Sequence, residues 1–155
     1  MPKLLAFLPC LKAIDGDDGL LTVVSILEYV GVTLPANQPT PEPNAAVPLQ
    51  WQMVSIWHGQ PDDAGKQFEQ VIEFILPSGQ SVFSNTSPIE LTSARTRIRI
   101  DGKLFPVGVA GEVTIRVGCR EVGQNDIHPQ SEYPVLVQHN APGNRVDDSV
   151  QTQRG

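Results

Sequence analysis

Residues 67–85, QFEQVIEFILPSGQSVFSN, constrain the fold more than any other stretch. Phe68, Gln70, Ile72, Phe74 and Leu76 occupy every second position, with Glu69 and Glu73 between them. A period of two belongs to a strand with one buried face, whereas a helix would repeat every three or four residues. Pro77-Ser78-Gly79-Gln80 then supplies a turn, because proline presets φ and glycine accepts a positive φ. Ser81-Val82-Phe83 returns as the second strand. The stretch predicts a β-hairpin, and the remaining chain reads as further strands laid around it.

Residues 3–9 form a first strand. Asp15-Gly16-Asp17-Asp18-Gly19 is a hairpin turn of the Asp/Gly type. Residues 20–26 follow as a second strand, an apolar run interrupted by Thr22 and Ser25. Residues 27–34 continue it past a bulge near Gly31 or form an edge strand. Residues 35–48 hold five prolines and no strong hydrophobic group. Such a segment favours extended polyproline II and cannot join a central sheet. It reads as a surface crossover between two sheets.

Residues 49–58 place Leu49, Trp51, Met53, Ser55 and Trp57 on one face, and Val54 and Ile56 make the other face apolar too, so this strand belongs in the middle of a sheet. After a polar loop and the hairpin, residues 87–91 make a shorter crossover. In residues 95–100, Thr96, Ile98 and Ile100 point one way and Arg95, Arg97 and Arg99 the other. Asp101-Gly102 is a turn signal. Residues 103–109 are strand or loop, residues 112–118 and 133–138 are strands, and residues 121–131 are a polar loop. From His139 onward the sequence is polar and aperiodic, which predicts a flexible tail.

About eight short strands with one-sided alternation and two crossovers predict an all-β chain, an antiparallel β-sandwich of immunoglobulin-like or C2-like type. A closed barrel is the competing shape. The chain's 155 residues suit one domain, residues 1–138, followed by a tail at 139–155. The 14 prolines and 13 glycines favour this loop-rich architecture over a helical one. No segment approaches the roughly 20 apolar residues of a membrane span, and the apolar run at residues 4–8 is too short for a secretory signal. Cys10 and Cys119 are too few for a disulfide framework and read as buried thiols of a cytoplasmic protein.

The net charge of -6 argues against general nucleic-acid binding. Against that background Arg95, Arg97 and Arg99 stand about 6–7 Å apart on one strand face. If their strand pairs with residues 112–118, Arg116 joins the same patch. Six of the eleven Lys and Arg fall between 95 and 120, against two acids. The functional reading is a docking surface for an acidic partner or a polyanion. The ordinary alternative is a solvated face ion-paired with Glu69 and Glu73, which are spaced alike.

Asp15, Asp17 and Asp18, joined by Asp62 and Asp63 from another loop, could hold Ca²⁺ through closely spaced carboxylates. The EF-hand pattern fails, because Ile26 stands where its closing Glu would be. A solvated turn is the plainer reading. His58, His128 and His139 have no metal-ligand spacing, and no nucleophile elbow or phosphate loop is present. Trp51, Met53 and Trp57 could line a ligand cleft, although inward aromatics of a sandwich are more commonly core. No cofactor and no enzymatic activity are expected.

Leu4-Leu5-Ala6-Phe7-Leu8-Pro9-Cys10, then Ala13-Ile14, Gly19 and residues 20–27, form a short apolar strand ending in Cys, a Gly-containing turn and a Val/Leu/Ile-rich strand. With residues 111–117 and 133–137 as closing strands, this layout resembles a family of uncharacterised bacterial proteins. The resemblance spans about two thirds of the chain, leaving out the Pro-rich insert and the tail. It implies a bacterial source, a β-sandwich and no assigned activity, and it carries no site residues across.

The expected function is that of a protein-interaction module docking through Arg95, Arg97, Arg99 and Arg116. Two other classes compete with it. One is a Ca²⁺-dependent small-ligand or lipid-binding β-domain; the other is a structural subunit of a bacterial or phage assembly, which would self-associate.

Overall fold

The structure, a computed structural model, describes residues 1–37, 40–92 and 94–142. Nine strands run in the order β1 Lys3–Asp15, β2 Leu21–Ile26, β3 Tyr29–Thr33, β4 Ala46–His58, β5 Phe68–Ile75, β6 Ser81–Ile89, β7 Arg95–Pro106, β8 Gly111–Glu121 and β9 His128–Asn140. They form two sheets, β2-β1-β4-β7 and β3-β9-β8-β5-β6. The only helical element among the described residues is a single 3-10 turn, Pro61–Asp63. No helix among them is long and apolar enough to cross a membrane.

The hairpin that anchors the sequence reading is present as β5 and β6, with Phe74 opposite Phe83. Phe68, Gln70, Ile72 and Phe74 are all buried, as their alternation requires. Across the sandwich, Trp51, Met53, Ser55 and Trp57 of β4 are buried on the facing side. The aromatic centre is packed edge-to-face: Trp51 lies 5.4 Å from Phe105 and 5.8 Å from Phe74, the geometry that ring quadrupoles favour. One buried polar network joins the layers. Trp57 Nε1 donates to Gln70 Oε1 at 2.8 Å, and Ser55 Oγ donates to the same oxygen.

Several elements depart from the sequence reading. The nine strands among the described residues agree with the expected number of about eight, but one pairing is not antiparallel, because β3 pairs parallel to β9. The reason lies between β2 and β3, where the chain changes sheets. Ser25 takes φ 51°, Leu27 N donates to Pro9 O of β1 in one sheet, and Glu28 O accepts from Leu136 N of β9 in the other. Residues 87–89 still belong to β6, which shortens the second crossover. Asp101-Gly102 makes no turn and lies within β7. Glycine is needed there because a Cβ would fall 2.3 Å from Trp51 Nε1. His139 and Asn140 are the end of β9, with His139 Nε2 donating to Val107 O at 2.6 Å. The expected tail therefore begins later than 139, and its residues 143–155 lie outside the described residues.

The strand order fits the immunoglobulin-like alternative. With β4, β5, β7, β8 and β9 read as B, C, E, F and G, the neighbours B–E and C–F–G recur. β1 is added at the far edge of β4. The inter-sheet disulfide of antibody domains has no counterpart, since Cys10 and Cys119 are both free and buried.

Candidate functional site

The first half of β1 pairs with β4 as far as Cys10. Beyond it, residues 10–15 pair with β2, and this two-stranded arm leans over the outer face of the first sheet. Cys10 and Ala13, with Leu21 and Val23, cover Val54, the apolar residue on the outer side of β4. Ala13 N donates to Gln52 Oε1 at 2.6 Å, and Gln52 Nε2 donates to Asp101 Oδ1 at 2.7 Å. The arm delivers its acidic turn to β7, where Arg99 Nη2 meets Asp15 Oδ2 at 2.6 Å and Arg97 Nη1 meets Asp15 Oδ1. Arg97 also reaches Gly19 O at 3.4 Å. The Arg99 hydrogen bond holds the Asp15 carboxyl below the ordinary aspartate value against an opposing desolvation, and Arg97 adds to the lowering.

Arg95, Arg97 and Arg99 thus do share one outer face, on a strand at the edge of its sheet. Arg116 does not join them. β7 lies in the four-stranded sheet and β8 in the five-stranded one, so the pairing that would have merged the patches is absent. Arg116 binds Glu132 at 2.8 Å and lies 3.9 Å from Glu73, while Arg120 binds Glu69 at 3.1 Å. Cross-strand ion pairing therefore accounts for the glutamate stripe of β5, but Arg97 and Arg99 of β7 answer to Asp15 instead.

The acidic candidates separate as well. Both Asp15 oxygens face guanidinium groups, and Asp18 Oδ1 accepts from Leu20 N at 2.9 Å within the turn. Asp63 is buried as the last residue of the 3-10 turn, where its Oδ2 accepts from Gln60 N at 2.8 Å and its Oδ1 meets the Met1 ammonium. Burial pushes the Asp63 carboxyl upward, but these two donors leave it below the ordinary value. Asp62 stays exposed beside it. Among the described residues no three His, Cys, Asp or Glu side chains converge as a metal site.

Among the clefts at the surface of the described residues, two bear on the sequence candidates. One, of about 420 Å³, lies between the edge strands β6 and β7 over Trp51, Met53, Phe74 and Ile100. Trp51 is only 2% exposed, its Nε1 donates to Leu104 O at 3.1 Å, and its ring is clamped against Gly102. It serves as core and offers no open platform. Trp57 is wholly buried. The other cleft, of about 670 Å³, sits among the loops at one end of the sandwich, beside Asp63, Lys66 and Glu90.

The feature that sequence reasoning passed over is the solvent side of the β1–β2 arm. Leu11, Ile14, Leu20, Val24, Ile26 and the adjoining Tyr29 are 41–68% exposed. The largely apolar run at residues 20–27, broken only by Thr22 and Ser25, was its signal, because a one-sided strand would have alternated. Compared with protein-family models and with curated proteins, the sequence matches none.

Proposed function

We propose that the protein is a non-enzymatic interaction module that docks an acidic protein segment across the outer face of β7. The supporting observation is that Arg97 and Arg99 share a single carboxylate, Asp15. Each guanidinium carries five N–H donors in a rigid fork, so one carboxylate leaves capacity for another acid. Position favours access, since β7 is an edge strand and both side chains remain about one-third exposed. The buried free thiols of Cys10 and Cys119 suit a reducing, cytoplasmic setting. Arg116, held by Glu132 and Glu73, is left out of this surface.

Binding of a fluorescent oligo-glutamate peptide, followed by anisotropy, tests the reading. Arg95→Glu/Arg97→Glu/Arg99→Glu should lose it, Asp15→Ala should strengthen it, and added salt should weaken it. Undiminished binding by the triple variant would remove β7 as the docking face.

A second reading, a subunit of a larger bacterial or phage assembly, is favoured by one observation: the exposed apolar face of the β1–β2 arm.

A further inference from the structure

The free edge of β2 is an unprotected strand edge. Residues 19–27, GLLTVVSIL, carry no charge, and among the described residues β2 has β1 as its only neighbour in the sheet. The opposite edge of the same sheet, β7, carries Arg95, Arg97, Arg99 and Lys103. Charges of this kind blunt an edge against pairing with another chain, and β2 has none.

The hydrogen-bond phase of β2 is fixed by two observations. Gly16 N donates to Leu20 O where the hairpin closes, so the residue pairs of that phase, Ile14–Thr22 and Lys12–Val24, are the hydrogen-bonded ones. Ala13 N donates away from β2, to Gln52 Oε1, so Ala13–Val23 is a non-bonded pair. The N–H and C=O of Val23 therefore point outward from the ladder, where nothing in the sheet meets them.

We propose that β2 pairs antiparallel with β2 of a second copy of this chain, about a two-fold axis at Val23. In that register the two Val23 residues exchange both backbone hydrogen bonds, and Thr22 lies opposite Val24 of the second copy. The same register sets Leu20, 68% exposed, across from Ile26 of the second copy, 47% exposed. No like charges meet, which is the condition an isologous contact of identical strands must satisfy. Ser25, with φ 51°, bends the strand before Ile26, so the ladder is confined to residues 21–24 and the Leu20–Ile26 contact is between side chains. Leu20, Val24 and Ile26 are the exposed apolar side chains at this edge. The contact is therefore small, at the low end of specific interfaces, and the association should be weak. The proposal makes the assembly reading specific and is independent of the arginine stripe. A dimer that ignores oligo-glutamate, or a monomer that binds it, would separate the two.

Sedimentation equilibrium of the full chain across the micromolar to millimolar range tests this directly. The wild type should pass from monomer to dimer and stop there. Thr22→Lys/Val24→Lys lies on the exposed face, so the fold should persist, shown by unchanged circular dichroism, while the dimer is lost. Mixing it with Thr22→Glu/Val24→Glu should restore a one-to-one heterodimer, because each Lys then faces a Glu. A wild type that stays monomeric throughout, or a dimer untouched by the lysine pair, would overturn the proposal.

Discussion

Asp15, the last residue of β1, closes a 2.6 Å ion pair onto Arg99 in the middle of β7, 84 positions further along the chain. Neither strand is the other's neighbour, since β4 lies between them. The contact exists because the β1–β2 arm lies across the sheet, and it joins the acidic turn to the basic stripe.

That pair should make arm docking pH-dependent. The folded Asp15 carboxyl titrates below its unfolded value, chiefly through Arg99. Its contribution is therefore complete above about pH 4, the ordinary aspartate value, and is lost as pH falls through the lower folded value. Denaturation midpoints measured down this range should fall more steeply for the wild type than for Asp15→Asn. The effect should be small and fade with salt, because the pair is exposed.

Calcium should leave the protein unmoved. Both Asp15 oxygens face arginines, and Asp63 is buried with its own donors. A thermal scan with Ca²⁺ against chelator should give the same midpoint. A rise with Ca²⁺ would instead support the calcium-dependent ligand domain.

Gly102→Ala should disturb the core from the sheet edge. The new Cβ would fall 2.3 Å from Trp51 Nε1, an atom already bonded to Leu104 O. The ring must shift or β7 must move, at a cost of about 1–3 kcal/mol. Chemical denaturation measures the loss, and altered tryptophan emission would show that the indole had moved.

Gln70→Ala should cost more. It removes the acceptor shared by Trp57 and Ser55 between the layers and leaves Trp57 Nε1 only its 3.2 Å contact with Ser55 Oγ. An unsatisfied buried donor and a new cavity together predict a loss of roughly 2–4 kcal/mol. In a Ser55→Ala/Gln70→Ala double-mutant cycle the two effects should be non-additive, since both residues act through one oxygen.

Much of the architecture was legible in the sequence because alternation is a local property. The inward faces of β4 and β5 and the Phe68-to-Leu76 stripe follow from residue order alone, whereas the Pro-rich crossover expected over 35–48 ends earlier, because Ala46, Val47 and Pro48 pair with β7 as the start of the central strand β4. Gln70 shows the limit: its place in the pattern put it inside, but only the opposite sheet supplied Trp57 and Ser55 to bond it. Gly102 shows another. Beside Asp101 it reads as a turn, and only Trp51 arriving from β4 explains a glycine within a strand.

The sequence by itself determined which residues face inward, that the chain is all-β, and that three arginines share one strand face. The tertiary structure alone decided which strands are neighbours. It set β7 and β8 in different sheets, taking Arg116 away from Arg97 and Arg99, and it brought Asp15 to them instead. The physical reason is one of range. Side-chain alternation is dictated by the backbone within a few residues, whereas strand order is settled by burial and ion pairing between segments the chain brings together only on folding.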